Sequence, residues 1–124
     1  MLQHRIDTRP RIRNAGRPAE KSAPGFLKWL RERPCTLARQ PGHECRGKVV
    51  AAHVDHAGGK GVGTKVADRH AIPLCDGAHE EQHRIGWRSF EARYRLNAVE
   101  LAEAFWRAWP GRAAWCRAHP EIGA

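Results

Sequence analysis

Six side chains that can bind a metal ion lie in the middle of the chain. The set comprises Cys35, Cys45, His53, Cys75, His79 and His83. The last three follow the pattern Cys-x3-His-x3-His, and the i, i+4 spacing of the two histidines places both imidazoles on one face of a helix. Thiols and imidazoles concentrated in this way are typical of a metal-binding domain, with zinc as the favoured ion for the cysteines.

His53 lies near the end of a predicted strand. A neutral imidazole can take a proton from water near pH 7, which is the task of a general base in hydrolysis. A divalent ion held by His79 and His83 could neutralise charge on a phosphate and stabilise a leaving oxygen. These residue types together favour metal-assisted hydrolysis of a phosphodiester.

The apolar periodicity predicts an α+β domain, in which two short strands are followed by helices. The strands are expected at residues 48–54 and 69–74, and a Gly-rich loop connects them. Asp76 and Asn97 are the predicted N-caps of two of the helices. The predicted helices cover residues 24–33, 76–85, 89–95, 97–109 and 112–118. The five tryptophans are interpreted as core residues.

The chain has 124 residues and a net charge of +9, enough for one small domain with a polyanionic partner. Nine Lys and Arg residues face three acids in residues 1–34, whereas residues 35–83 hold six of each. The basic flanks indicate nucleic acid as the partner. We expect a flexible basic arm at 1–23, a metal-binding domain at 24–96 and C-terminal helices at 97–124 that pack on it.

Neither a secretory signal nor a membrane-length apolar stretch is visible in the sequence. A cytoplasmic protein without a membrane partner is therefore expected. Four cysteines in such a chain are better explained as metal ligands than as disulfides. Cys116, far along the chain, is interpreted as a packed thiol.

The stretch AAHVDHAGGKGVGTKVADRHAIPLCDGAHEEQH resembles the ββα-metal core of the HNH (His-Me finger) endonucleases. It is especially similar to small phage and prophage members of that family, including the recombination-enhancement nucleases. The resemblance covers about residues 25–95. It implies a small ββα-metal core with a zinc staple and flanking helices, encoded by a phage or prophage and acting in the bacterial host.

The resemblance also implies a role for each matched residue. His53 matches the general base, and His70 occupies the position of the residue that orients the base through backbone contacts. His79 matches the histidine that binds the catalytic ion, and His83 is the second helical ligand. The implied cofactor is Mg²⁺ or Mn²⁺, and the implied products carry 5′-phosphate and 3′-hydroxyl ends.

This sequence departs from the family pattern before the base, where many relatives have a metal-binding Asp or His and this chain has Ala52. Asp55 or His56 is a candidate for the missing ligand of the catalytic ion. A second interpretation makes His53 a ligand and His56 the base.

The sequence also departs from the family at the structural zinc, which many relatives hold with two Cys-x2-Cys pairs. Ala78 stands where the fourth cysteine would be. Cys35, Cys45 and Cys75 remain, and His43 is the best candidate for the fourth ligand because Cys3His is an ordinary zinc set. A water ligand, or no zinc at all, is the alternative.

DNA is the expected substrate, and a recombinase filament is a candidate second partner. Lys60 and Lys65 in the Gly-rich loop, with Arg84 and Arg88 after the helical histidines, are the predicted phosphate contacts. The rival hypothesis is a non-catalytic zinc module that binds nucleic acid in phage recombination, which the alanine at position 52 favours.

Overall fold

A computed structural model describes residues 19–57 and 66–120 as a small α+β fold. After a 3-10 turn at Ala19–Lys21, the elements are α1 Pro24–Arg31, β1 Val49–His53, β2 Ala71–Cys75, α2 Asp76–Tyr94, α3 Ala98–Ala108 and α4 Arg112–Ala118. The predicted α+β class and the order of strands and helices are confirmed. Within the described ranges, no helix combines the length and the apolar character that crossing a membrane requires.

The two strands form an antiparallel hairpin whose faces are buried against different helices. Ala52 pairs with Ile72, and His53 pairs with Ala71. Directly opposed residues share a face and neighbours along a strand alternate, so Ala52 and His53 point to opposite faces. Ala52, only 1% exposed, points into the main core. A metal ligand at that position would therefore be buried in apolar surroundings.

The main core lies between one face of the hairpin and the helices α2 and α3. Its members from the strands and from these helices include Ala52, Ile72, Leu74, Trp87, Phe90, Tyr94, Ala98 and Ala102. A second cluster on the other face is aromatic, and there Phe26 of α1 meets the Trp106 ring edge-on at 5.1 Å. The interpretation of the tryptophans as packing residues is confirmed most clearly for Trp87 and Trp106, both of which are buried.

Helix α2 joins two of the predicted helices across a sharp break. Gly86, the predicted helix stop, has φ 86° and ψ 158°, which glycine adopts more readily than other residues. The Tyr94 hydroxyl donates a hydrogen bond to the Glu81 carboxylate at 2.5 Å. A straight helix would separate residues 13 positions apart by about 20 Å, so the second half must turn back toward the first.

Helix α2 is capped by a cysteine. The Cys75 sulfur accepts the Ala78 N–H at 3.4 Å, so the prediction of Asp76 as the N-cap was wrong by one residue. Asp76 instead accepts the Lys48 N–H through its carboxylate at 3.1 Å and ties the helix to the start of β1. The prediction of Asn97 as N-cap is confirmed, since its side chain accepts the Glu100 N–H at 3.0 Å.

Residues 19–23 form part of the fold, although the sequence predicts them as the end of a flexible arm. The Lys21 carbonyl accepts the Asp68 N–H at 2.9 Å, and the Ser22 carbonyl accepts the Trp115 indole N–H at 2.9 Å. Ala23 is buried. The rest of the predicted arm, residues 1–18, lies outside the described residues.

Candidate metal centre and histidine site

Three cysteines and one histidine converge at the end of the hairpin. The sulfurs of Cys35, Cys45 and Cys75 and a ring nitrogen of His43 all lie within 4.8 Å of one another. This is the ligand set that the sequence predicts, with His43 as its fourth member. The contributing segments are the chain that leaves α1, the loop before β1 and the last residue of β2.

Backbone N–H groups surround two of these sulfurs. Cys75 accepts from the N–H groups of Arg46 and Ala78, each at 3.4 Å, and Cys35 accepts from the Leu37 N–H at 3.3 Å. Such bonds stabilise thiolates, which are the form that binds metal. The local backbone is therefore arranged for negatively charged sulfur.

The three thiols differ in their pKa values because they compete with one another. Burial raises the pKa of Cys35. Desolvation, together with the adjacent Cys35 and Cys75 thiols, raises the pKa of Cys45 to about 12, although Cys45 is an exposed residue. Burial alone would raise the pKa of Cys75, but hydrogen bonds from the Arg46 and Ala78 N–H groups, His43 and Cys35 lower it to about 7. Three thiolates cannot lie this close without a cation.

The donor set fits zinc in chemistry and in spacing. Cys3His is a common structural zinc set, and tetrahedral bonds of about 2.3 Å to sulfur and 2.0 Å to nitrogen separate the two donors by about 3.5 Å. The Cys75 sulfur and His43 Nε2 are 3.7 Å apart. The cluster can therefore bind an ion such as zinc, which would join α1, the loop and the hairpin.

Gly47 is the position in this centre that tolerates a side chain least. Its φ is +81°, and an added Cβ would overlap the Asp76 carboxylate and lie 2.6 Å from the Asp76 Cβ. We expect Gly47→Ala to destabilise the fold by about 1–3 kcal/mol and to weaken zinc binding. Chemical denaturation and zinc titration measure the two effects.

Gly42 provides the matched control for this substitution. It has the same φ of +81°, but nothing lies within 4 Å of an added Cβ. Gly42→Ala therefore carries the backbone strain without the clash. Equal losses of stability in the two variants would contradict the role assigned to the Gly47–Asp76 contact.

His53 makes a close contact that the sequence did not reveal. Its Nε2 lies 2.9 Å from Asp68 Oδ1, and the Asp68 side chain is 4% exposed while that of His53 is 25% exposed. The other oxygen, Oδ2, accepts the Ala23 N–H at 2.8 Å. A buried carboxylate thus holds one ring nitrogen of the predicted base and leaves part of the ring open to solvent.

His70 supports the same strand end through its backbone. Its carbonyl accepts the Val54 N–H at 2.8 Å and extends the hairpin pairing one residue beyond His53. The imidazole of His70 is half-buried, and this burial, followed by the charge of Arg69, lowers its pKa.

His79 and His83 lie together on the first half of α2, as their spacing predicts. Their Nε2 atoms are 3.1 Å apart. Burial, followed by the neighbouring His83 and to a smaller extent His53, lowers the pKa of His79. Two nitrogens bound to one ion at about 2.1 Å would be about 2.9–3.4 Å apart, so the pair fits one ion.

Asp55 and His56 do not join the pair. Among residues 19–57 and 66–120, the only set of three or more such ligands with all donor atoms within 4.8 Å is the Cys3His cluster. His56 Nε2 lies 3.6 Å from Glu91 Oε1, and both residues line a cavity of about 420 Å³ with Asp55 and Trp87. The structure therefore places these two candidates beside the second half of α2.

The predicted phosphate contacts divide into two groups. Arg84 and Arg88 are exposed on α2, the helix that carries the histidine pair. Lys60 and Lys65 lie outside the described residues. The same helix also carries four acidic residues, so these two arginines are local positive charges on it.

Asp68 is the residue of this site that sequence reasoning missed. It lies two positions before His70, and no local spacing connects it with His53, 15 residues earlier. Only the hairpin brings the two together. An acidic residue shortly before the second strand of a hairpin that carries a histidine was the available signal.

Comparison with known proteins assigns the chain to one family. Residues 2–109 match the family described as Protein of unknown function (DUF968), and the chain belongs to that family. No curated protein matches the chain. No solved structure matches it either.

Proposed function

We propose that this protein is a metal-dependent endonuclease that hydrolyses phosphodiester bonds in DNA, as HNH-type enzymes do. The observations that carry the proposal are the His53 imidazole at the end of β1, held by Asp68, and the His79–His83 pair on α2, whose Nε2 atoms lie 3.1 Å apart. A base and an ion site that face one reacting group are the two parts that metal-assisted hydrolysis needs. The order β1–β2–α2 also agrees with a ββα-metal core.

His53 is proposed to act as the general base. It takes a proton from the attacking water as the water oxygen bonds to phosphorus and the bond to the leaving oxygen breaks. Asp68 stabilises the imidazolium that forms, as a buried carboxylate does in other His–Asp pairs. His70 keeps the strand end in place through its carbonyl.

His79 and His83 are proposed to hold the catalytic ion. When bound there, a divalent ion would neutralise charge on the phosphate and on the leaving oxygen. Imidazole donors suit first-row transition ions such as Fe²⁺, Ni²⁺ and Zn²⁺, and Mn²⁺, the weakest binder of that series, accepts nitrogen ligands more readily than Mg²⁺, which prefers oxygen. We therefore favour Mn²⁺ over Mg²⁺ as the activating ion of this chain.

The Cys3His cluster has a structural role in this proposal, and exposed arginines supply the contact with DNA. Zinc in the Cys3His cluster would fix the base of the hairpin on which His53 lies, and this is a structural role. The net charge of +9 and the exposed Arg84 and Arg88 favour contact with the DNA backbone without sequence readout. The proposed location is the cytoplasm of a bacterial host, as for a phage or prophage enzyme.

The test is nicking of supercoiled plasmid by the purified chain in Mn²⁺ or Mg²⁺. We expect nicking that is stronger in Mn²⁺. We expect His79→Ala and His83→Ala each to reduce it by at least about 10–100-fold, the loss that removal of an outer-shell partner alone typically causes. His119→Ala, a histidine of the C-terminal segment, is the control and should nick normally. Unchanged nicking in both pair variants would show that this pair does not hold the catalytic ion.

A non-catalytic nucleic-acid-binding module is the second candidate. One observation favours it: within the described ranges, no third ligand joins His79 and His83 in a compact set. It predicts salt-sensitive binding to DNA without cleavage in any divalent ion. Absence of nicking by folded, zinc-loaded protein on plasmid and single-stranded DNA would favour it over the nuclease.

A further inference from the structure

We propose that Asp68 fixes His53 as the tautomer with its proton on Nε2, so that Nδ1 is the atom that accepts a proton from water. Asp68 is a positioning residue in this inference, which rests on the proposed function for its catalytic meaning. The tautomer itself does not depend on that function. It follows from two hydrogen bonds to the Asp68 carboxylate, one buried and one part-buried.

Both oxygens of the Asp68 carboxylate accept hydrogen bonds. Asp68 Oδ1 lies 2.9 Å from His53 Nε2, and Oδ2 accepts the Ala23 N–H at 2.8 Å. A carboxylate at neutral pH has only acceptor sites, so the short contact with His53 requires a proton on Nε2. In a neutral imidazole the other nitrogen is then an acceptor.

Asp68 is held in a fixed position by burial and by hydrogen bonds of its backbone and its side chain. Asp68 is 3% exposed, and its N–H donates to the Lys21 carbonyl at 2.9 Å. The segment that leads into α1 thus holds Asp68 through both its backbone and its side chain. A buried carboxylate fixed in this way cannot turn to follow the ring, so the ring adapts to the carboxylate.

The second ring nitrogen of His53 is Nδ1, the proposed proton acceptor. Within the described part of the chain, His53 Nδ1 has no hydrogen-bond partner. The His53 side chain is 25% exposed, so water can reach part of the ring. Nδ1 is therefore the nitrogen that can serve a substrate water.

Asp68→Asn provides a sharp test because it should reverse the tautomer. The Ala23 N–H still needs an acceptor, so the amide oxygen takes the place of Oδ2 and the amide nitrogen faces His53. An amide nitrogen only donates, so Nε2 must become the acceptor and the proton must move to Nδ1. The variant keeps the shape of the Asp68 side chain. It places the proton on His53 Nδ1, so that this nitrogen can no longer accept a proton from water.

The tautomer can be read by long-range ¹H–¹⁵N NMR correlation of the His53 ring in the zinc-loaded full chain at neutral pH. We expect the proton on Nε2 in the wild type and on Nδ1 in Asp68→Asn. A wild-type ring that carries its proton on Nδ1 overturns the inference, whether or not the protein cleaves DNA. This reading in the wild type needs no variant to fold.

Cleavage kinetics give the second readout. Asp68→Asn should lower kcat by up to roughly 10⁴-fold, the loss seen when an active-site histidine is held in the wrong tautomer. It should change KM by less than about 3-fold because no substrate contact is removed. Equal kcat in a folded variant with a reversed tautomer would overturn the positioning role.

Glu91→Gln is the matched control. Glu91 also accepts a backbone N–H, from Ala98 at 2.6 Å, and also faces a histidine, His56. We expect Glu91→Gln to leave both the tautomer of His53 and the kcat of cleavage unchanged. If the proposed nuclease function fails, cleavage is absent while the proton on Nε2 is still observed, so the two failures are distinguishable.

Discussion

Replacement of His53 by alanine is expected to abolish cleavage while DNA affinity stays within about 2–3-fold of the wild type. The base contributes about 10²–10⁴-fold to a rate, and the loss here should lie at the upper end because Asp68 holds the ring in one orientation. DNA binding should persist because the proposed contacts with the DNA backbone come from Arg84 and Arg88 and not from His53. Plasmid nicking and fluorescence anisotropy with labelled DNA measure the two quantities.

His56→Ala decides between the two interpretations of the base. His56 is 44% exposed and lies 3.6 Å from Glu91 on the second half of α2, whereas the helical pair lies on the first half. We therefore expect His56→Ala to nick at close to the wild-type rate. The opposite pattern, an active His53→Ala and an inactive His56→Ala, would move the base to His56 and leave His53 as a metal ligand.

Loss of the zinc centre is expected to have the largest effect on folding. We predict one zinc ion per chain by elemental analysis and a large loss of thermal stability when a strong chelator removes it. Structural zinc contributes about 10–16 kcal/mol of binding free energy in small domains. Cys75→Ser should weaken zinc binding on the order of 100-fold or more, because it removes one of the four ligands and outer-shell changes alone cost about 10–100-fold. Cys75 also caps α2 and ends β2.

Cys116→Ser is the matched control for this prediction. Cys116 is the one cysteine of the chain outside the cluster, and it lies on α4. Its replacement should leave both the zinc content and the unfolding temperature unchanged. Zinc-free wild-type protein that unfolds at the same temperature as the zinc-loaded form would refute the structural role of the ion.

The pKa values of the thiols add a pH dependence to zinc binding. The pKa of Cys75 is lowered to about 7, while those of Cys35 and Cys45 are raised. At pH 7 one thiol is therefore about half-ionised and two are protonated, so binding should release about two to three protons. Calorimetry in buffers of different ionisation enthalpy measures this number. Zinc affinity should fall as the pH drops, because protons compete for the sulfurs.

The sequence by itself determined the features that depend on local geometry. The spacing of His79 and His83 places them on one helix face, because 3.6 residues form a turn. Asn97 caps α3 and Gly86 breaks α2 for reasons contained in a few neighbouring residues. The types of the metal ligands were also readable, since thiol and imidazole chemistry does not depend on the fold.

The tertiary structure decided which of these residues meet. His43 became the fourth member of the cluster because the loop before β1 folds against the end of β2. Asp68 contacts His53 because pairing of β1 with β2 brings together residues that are 15 positions apart. His56 lies near Glu91 instead. Such contacts depend on strand register and on which face of the hairpin each helix covers, and both are fixed by burial of the whole apolar core rather than by local spacing.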